Sequence, residues 1–143
     1  MRKTRRKRTQ ADYKKLCDVI FSKQVRASGV CEMAGYGQGS SLVCSPTLHC
    51  AHIKSRKYSL LRTDRQNCVS LCATHHYMSH SQPDLFISFI QEKYPGRIDY
   101  LNKRMRDTTK VDWEQEYYRL KGAKQGVVKF DSWEIPGLEE LGE

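Results

Sequence analysis

Nowhere in the 143 residues is there an unbroken run of about eighteen apolar side chains, and the basic opening stretch is not followed by the apolar segment of a secretory signal. Neither membrane spanning nor export is therefore expected, and the chain reads as cytoplasmic. No segment repeats. Histidine is absent outside residues 49–80, and Lys and Arg are absent from residues 131–143. With no export signal, the six cysteines lack the oxidising setting in which disulfides persist, so metal ligation becomes their leading use. A hydrophobic content of 38% over this length fills one modest core and leaves nothing for a second independent domain.

What is abundant is positive charge. The chain carries 25 Lys and Arg against 16 Asp and Glu, a net +9. Six of the first ten residues are basic, and the last thirteen hold five acids. The remainder still has 19 basic and 11 acidic residues, so a net +8 belongs to the body of the protein. A body this basic is suited to a polyanion, most often nucleic acid.

Residues 1–9 read as a disordered basic arm, since like charges repel and nothing there can be buried. From Gln10 to Ala27 the apolar positions Tyr13, Leu16, Cys17, Ile20, Phe21 and Val25 recur at steps of three and four, predicting a helix with one buried face and Cys17 in the core. Gly29 ends it, and a Gly- and Ser-rich loop continues to Pro46. Thr47–Ile53 suits a strand, followed by a polar, basic loop from Lys54 to Gln66; Asn67–Leu71 is either its partner strand or the approach to a helix. The next helix carries His75, His76 and His80. Helical patterns follow over Pro83–Lys93, Ile98–Met105 and Asp112–Lys121. Leu85, Phe86, Phe89, Ile90 and Tyr94 are expected in the core, as are Trp113, Tyr117 and Leu120. Residues 125–143 form an acidic tail without periodicity.

All five histidines fall in the 32 residues from His49 to His80, together with Cys50, Cys68 and Cys72. Asn67 follows His52 by fifteen positions, His76 follows Asn67 by nine, and His80 follows His76 by four. This pattern, with the phrases Cys50-Ala-His-Ile and Leu71-Cys-Ala-Thr-His-His, resembles the zinc-stapled HNH endonucleases of phages and prophages. The resemblance covers about residues 29–100. It implies an α+β fold: a small ββα-metal core with a structural zinc, flanked by an N-terminal helix and C-terminal helices. Residues 10–124 would then form the nuclease domain, with its core at 29–82 and a helical extension at 83–124. It further implies hydrolysis of DNA phosphodiester bonds, duplex most readily, in the host cytoplasm if the protein is phage-encoded. RNA would be cut by the same chemistry.

The roles follow residue by residue. His52 suits a general base, because an imidazole is largely neutral at physiological pH. His76 and His80, one helical turn apart, can grip one catalytic divalent cation, Mg, Mn, Ni or Zn. Asn67, by resemblance, holds the intervening loop and so the orientation of His52. Lys54, Arg56 and Lys57 lie just past the base, where cations meet phosphate. Ala51 departs from the family, many of whose members place a metal-binding Asp or His there; Cys50 and His49 are weaker substitutes, Cys50 facing with His52 and His49 facing away on an alternating strand. Cys31, Cys44, Cys72 and His75 are the expected structural zinc set, with Cys50 the first substitute and Cys68 in the core. The alternative is a zinc-stapled DNA-binding or packaging accessory module whose nuclease site has decayed at Ala51.

Overall fold

The structure is a computed structural model that describes residues 4–36 and 43–122. Helix α1 spans Gln10–Arg26 and starts at a reciprocal cap: Asp12 N–H donates to the Thr9 hydroxyl at 3.3 Å while Thr9 N–H donates to the Asp12 carboxylate at 2.8 Å. Such a cap stabilises a helix by about 1 kcal/mol. Within the basic arm, residues 4–9 form neither helix nor strand before that cap, yet Arg6 pairs with Asp12 at 3.0 Å and the Arg8 guanidinium lies 5.7 Å from the centre of the Tyr117 ring. At the other end of α1, Gly29 turns the chain with φ of +69°, a conformation that costs glycine nothing.

Strands β1 (Leu48–His52) and β2 (Cys68–Cys72) pair antiparallel, with Leu48 opposite Cys72 and His52 opposite Cys68. Helix α2 (Ala73–Ser81) follows β2 with no intervening loop, and the Cys72 sulfur caps it by accepting the His75 N–H at 3.4 Å. Helix α3 (Pro83–Lys93) has proline in its first turn, where the missing N–H is no loss. Helices α4 (Arg97–Arg104) and α5 (Trp113–Gly122) complete the described chain. The connection from β1 to β2, expected as a plain loop, contains two short 3-10 turns, Ser59–Leu61 and Arg65–Asn67.

Among the described residues the protein is thus a small α+β fold of five helices and a two-stranded antiparallel sheet. The acidic tail, residues 1–3 of the arm and the Gly- and Ser-rich positions 37–42 lie outside the described residues. No helix of the described residues is long and apolar enough to cross a membrane.

Every residue of β2 is buried, because the hairpin is covered on both faces. On one side Cys17, Phe21 and Val25 of α1 meet Cys68 and the Trp113, Tyr117 and Leu120 side chains of α5. On the other side Ala51, Val69 and Leu71 pack against Met78 of α2 and Phe86, Phe89 and Ile90 of α3. Each fully buried large apolar side chain contributes about 1.5–3 kcal/mol, so two shared faces let a short hairpin hold its register. Glu32 fastens the segment after α1 along β2: its N–H donates to Ser70 O at 2.8 Å, and its carboxylate accepts from Ser70 N–H at 2.5 Å and from the Tyr94 hydroxyl. This docking brings Cys31 to the start of α2.

Candidate metal centre and active site

Three sulfurs converge on a single ring nitrogen. His75 Nδ1 lies 3.0 Å from Cys72 Sγ and 3.5 Å from both Cys31 Sγ and Cys44 Sγ, and all four ligand atoms lie within 4.8 Å of one another. A ring nitrogen carries either one hydrogen or one lone pair, so hydrogen bonding accounts for one of these approaches and not for three. Tetrahedral zinc with bonds near 2.3 Å to sulfur and 2.0–2.1 Å to nitrogen would set sulfur–nitrogen separations of about 3.5 Å. The set can therefore hold a metal ion such as zinc. Burial acts to raise the Cys72 thiol, but hydrogen bonds from His75 and Ser45 outweigh it and bring it down to about 6. Cys44 goes the other way, pushed up to about 11 by burial and the neighbouring sulfurs of Cys31 and Cys72. The four residues come from the end of α1's trailing turn, the approach to β1, the end of β2 and the first turn of α2, so an ion there ties four segments together.

Asn67 is wholly buried and its amide spans the β1–β2 connection. Its Oδ1 accepts Lys54 N–H at 2.7 Å, and its Nδ2 donates to the carbonyls of Lys54 and Leu61, both at 3.0 Å. One residue past Leu61, the Arg62 carbonyl lies 3.1 Å from His52 Nε2. A carbonyl can only accept, so Nε2 carries the hydrogen and the neutral ring keeps its lone pair on Nδ1. The Arg62 side chain is itself held from α1, where Asp18 takes Nε at 2.7 Å and Nη2 at 2.6 Å. Asn67 and Asp18 thereby fix the same turn from two directions, and that turn fixes the His52 ring. Burial lowers the His52 pKa below its ordinary 6.5.

His76 and His80 lie side by side on α2, Nε2 to Nε2 at 3.3 Å. Two imidazole nitrogens on one tetrahedral ion would stand about 3.3 Å apart. On the opposite edge of the His76 ring, Nδ1 is 2.9 Å from His49 Nδ1. If His76 uses Nε2 for an ion, its Nδ1 carries the hydrogen and donates to His49, the arrangement that orients ligand histidines in metalloproteins. Ala51 is 1% exposed and packed in the α2–α3 core, so it brings no donor. His76 is lowered from 6.5, first by burial and then by the nearby His49, His80 and His52 rings.

An open cavity of about 640 Å³ gathers these groups: His52, His76 and His80 line it with Arg56, Asp18 and Cys50. Of the three basic residues expected beside the base, Arg56 reaches this cavity. Lys54 is engaged through its backbone to Asn67, and Lys57 lies over the Tyr58 ring at 5.0 Å and lines a different cavity beside Lys14 and Lys110. The sequence undervalued His49, which faces away from His52 on β1 yet meets α2 because that helix starts straight after the paired strand. The Asp18–Arg62 pair went unforeseen; no short motif links residues 44 positions apart. Cys68 is core, as expected, but its sulfur also lies within 4.8 Å of Cys50 Sγ and of a His52 ring nitrogen. Compared with known proteins, the chain matches no protein-family model, no curated protein and no solved structure.

Proposed function

We propose that the protein is a metal-dependent endonuclease of the HNH kind, acting on DNA phosphodiester bonds. The observation that carries this reading is one cavity lined by His52, its Nε2 held by the Arg62 carbonyl, and by His76 and His80 at the separation of two ligands on one ion. His52 Nδ1 takes a proton from water as the water oxygen bonds to phosphorus. The bond from phosphorus to the 3'-oxygen breaks, and that oxygen takes up a proton from solvent water, leaving 5'-phosphate and 3'-hydroxyl ends. Arg56 forks onto the phosphate oxygens and holds the strand in the cavity. His49 and Asn67 are positioning residues, the first for His76 and the second, through the Leu61–Arg62 turn, for His52. His76 and His80 would hold a divalent ion, which would supply charge neutralisation at the phosphate. Cys31, Cys44, Cys72 and His75 would hold a zinc that staples the frame and takes no part in the chemistry.

The test is incubation of the purified chain with plasmid and with RNA in Mg, Mn, Ni or Zn. Cleavage of DNA that disappears in His52→Ala is expected. No cutting with any ion, or cutting unchanged by His52→Ala, would remove the nuclease reading. Ala51, buried and without a donor, favours a second reading: a zinc-stapled DNA-binding or packaging module that no longer cuts. DNA retention by wild type with no cleavage under every ion would select it.

A further inference from the structure

Neither the four-residue metal centre nor the base and its ion use Cys50 or Cys68. Cys50 on β1 sits two residues before His52 on the same face, and His52 is directly opposite Cys68 on β2. The two sulfurs and one ring nitrogen of His52 all lie within 4.8 Å of one another. Cys17 packs in the same core and shows what an ordinary buried thiol does there: it lies against the Trp113 carbonyl at 3.5 Å and belongs to no such group.

We propose that Cys50, Cys68 and His52 form a second metal site, specific for a thiophilic ion such as Zn(II), Cd(II) or Co(II). Two thiolates and an imidazole are the donors such ions prefer, and two thiolate charges neutralise a dication. Three protein ligands leave one tetrahedral position for water. Access is through the open cavity, which Cys50 and His52 line while Cys68 stands fully buried behind them. Hard, oxygen-preferring Mg(II) has no reason to enter a two-sulfur site, so the site separates ions by softness. Binding here does not depend on nuclease activity. Where the nuclease reading holds, it has a consequence: an ion bound to the His52 ring withholds the base, so Cd(II), or Zn(II) beyond the equivalents that the other centres take up, silences cutting that Mg(II) or Mn(II) supports.

Cobalt spectroscopy reads the site without any DNA. The full chain, carrying one equivalent of zinc for its four-residue centre and kept reduced, is titrated with Co(II) while thiolate-to-cobalt charge-transfer absorption is recorded. Wild type and His80→Ala are expected to bind one further equivalent with that absorption. Cys50→Ser and Cys68→Ala are expected to bind it at least about tenfold more weakly, since losing a ligand costs no less than losing one of the outer groups that orient ligands. Far-UV circular dichroism checks each variant; if Cys68→Ala does not fold, the half-buried Cys50→Ser still decides. Absence of further charge-transfer absorption in wild type overturns the proposal, as does absorption unchanged in Cys50→Ser. A Cys50–Cys68 disulfide by mass spectrometry, with no ion bound after reduction, also overturns it.

Discussion

Removal of the Asn67 amide tests how the loop positions His52, the base of the proposed reaction. Asn67→Ala deletes three side-chain hydrogen bonds, at 2.7, 3.0 and 3.0 Å. Each contributes about 0.5–1.5 kcal/mol net, and the stranded groups differ: the Leu61 carbonyl is buried with its partner, whereas Lys54 is half-buried and water can reach it. The sum is a loss of about 2–4 kcal/mol. Asn67→Asp separates shape from polarity. One carboxylate oxygen keeps the Lys54 N–H, but the other faces two carbonyls with no hydrogen to donate, so this near-isostere also destabilises at neutral pH. Protonation returns one donor, so the gap to wild type narrows as pH falls through the aspartate's titration. Urea unfolding followed by circular dichroism at pH 7 and at pH 4 measures both changes, and plasmid cleavage by the folded fraction measures the effect on His52. A loss of under about 0.5 kcal/mol in Asn67→Ala, or an Asn67→Asp protein matching wild type at neutral pH, would refute the argument.

Four further outcomes are expected. Cys72→Ala should lose about one zinc per chain by elemental analysis and unfold much of the protein, because zinc ligation is folding free energy; a folded variant with unchanged metal content refutes the centre. His52 and His76 both titrate below the ordinary 6.5, so the unfolded chain binds more protons below that pH. Stability should therefore fall as pH drops below 6.5, and under the proposed nuclease reading the cleavage rate should hold its plateau down to that pH; an acid limb centred above about pH 7 contradicts it. Asp18→Asn breaks the paired contact to Arg62 and should cost about 1–2 kcal/mol in urea unfolding, with a larger proportional loss of cleavage than of DNA binding. Arg56→Ala should weaken DNA binding and reduce the salt dependence of the affinity by about one ion, measured by fluorescence anisotropy at several salt concentrations.

Periodicity located helices α1 and α3. The three-and-four spacing from Tyr13 to Val25 and the run from Leu85 to Tyr94 each describe one face of one helix, and a face needs no knowledge of its partner. The four-residue step from His76 to His80 is of the same kind, which is why that pair was legible. Resemblance supplied Asn67 as a loop holder, and the structure adds the atoms it holds. What tertiary structure decided is everything that joins distant segments. Antiparallel register set Cys50, Cys68 and His52 around one point; the direct passage from β2 into α2 carried His76 back to His49; and packing of α1 on the hairpin set Asp18 against Arg62. Cys31 likewise meets Cys72 and His75 because Glu32 docks its segment along β2, and Cys44 joins them because Thr47 O and Ser45 Oγ accept from the Ala73 and Thr74 N–H groups at the start of α2. Local spacing encodes which side chains share an element, whereas the meeting of elements is set by the two shared cores and their hydrogen bonds, which no short stretch of the chain contains.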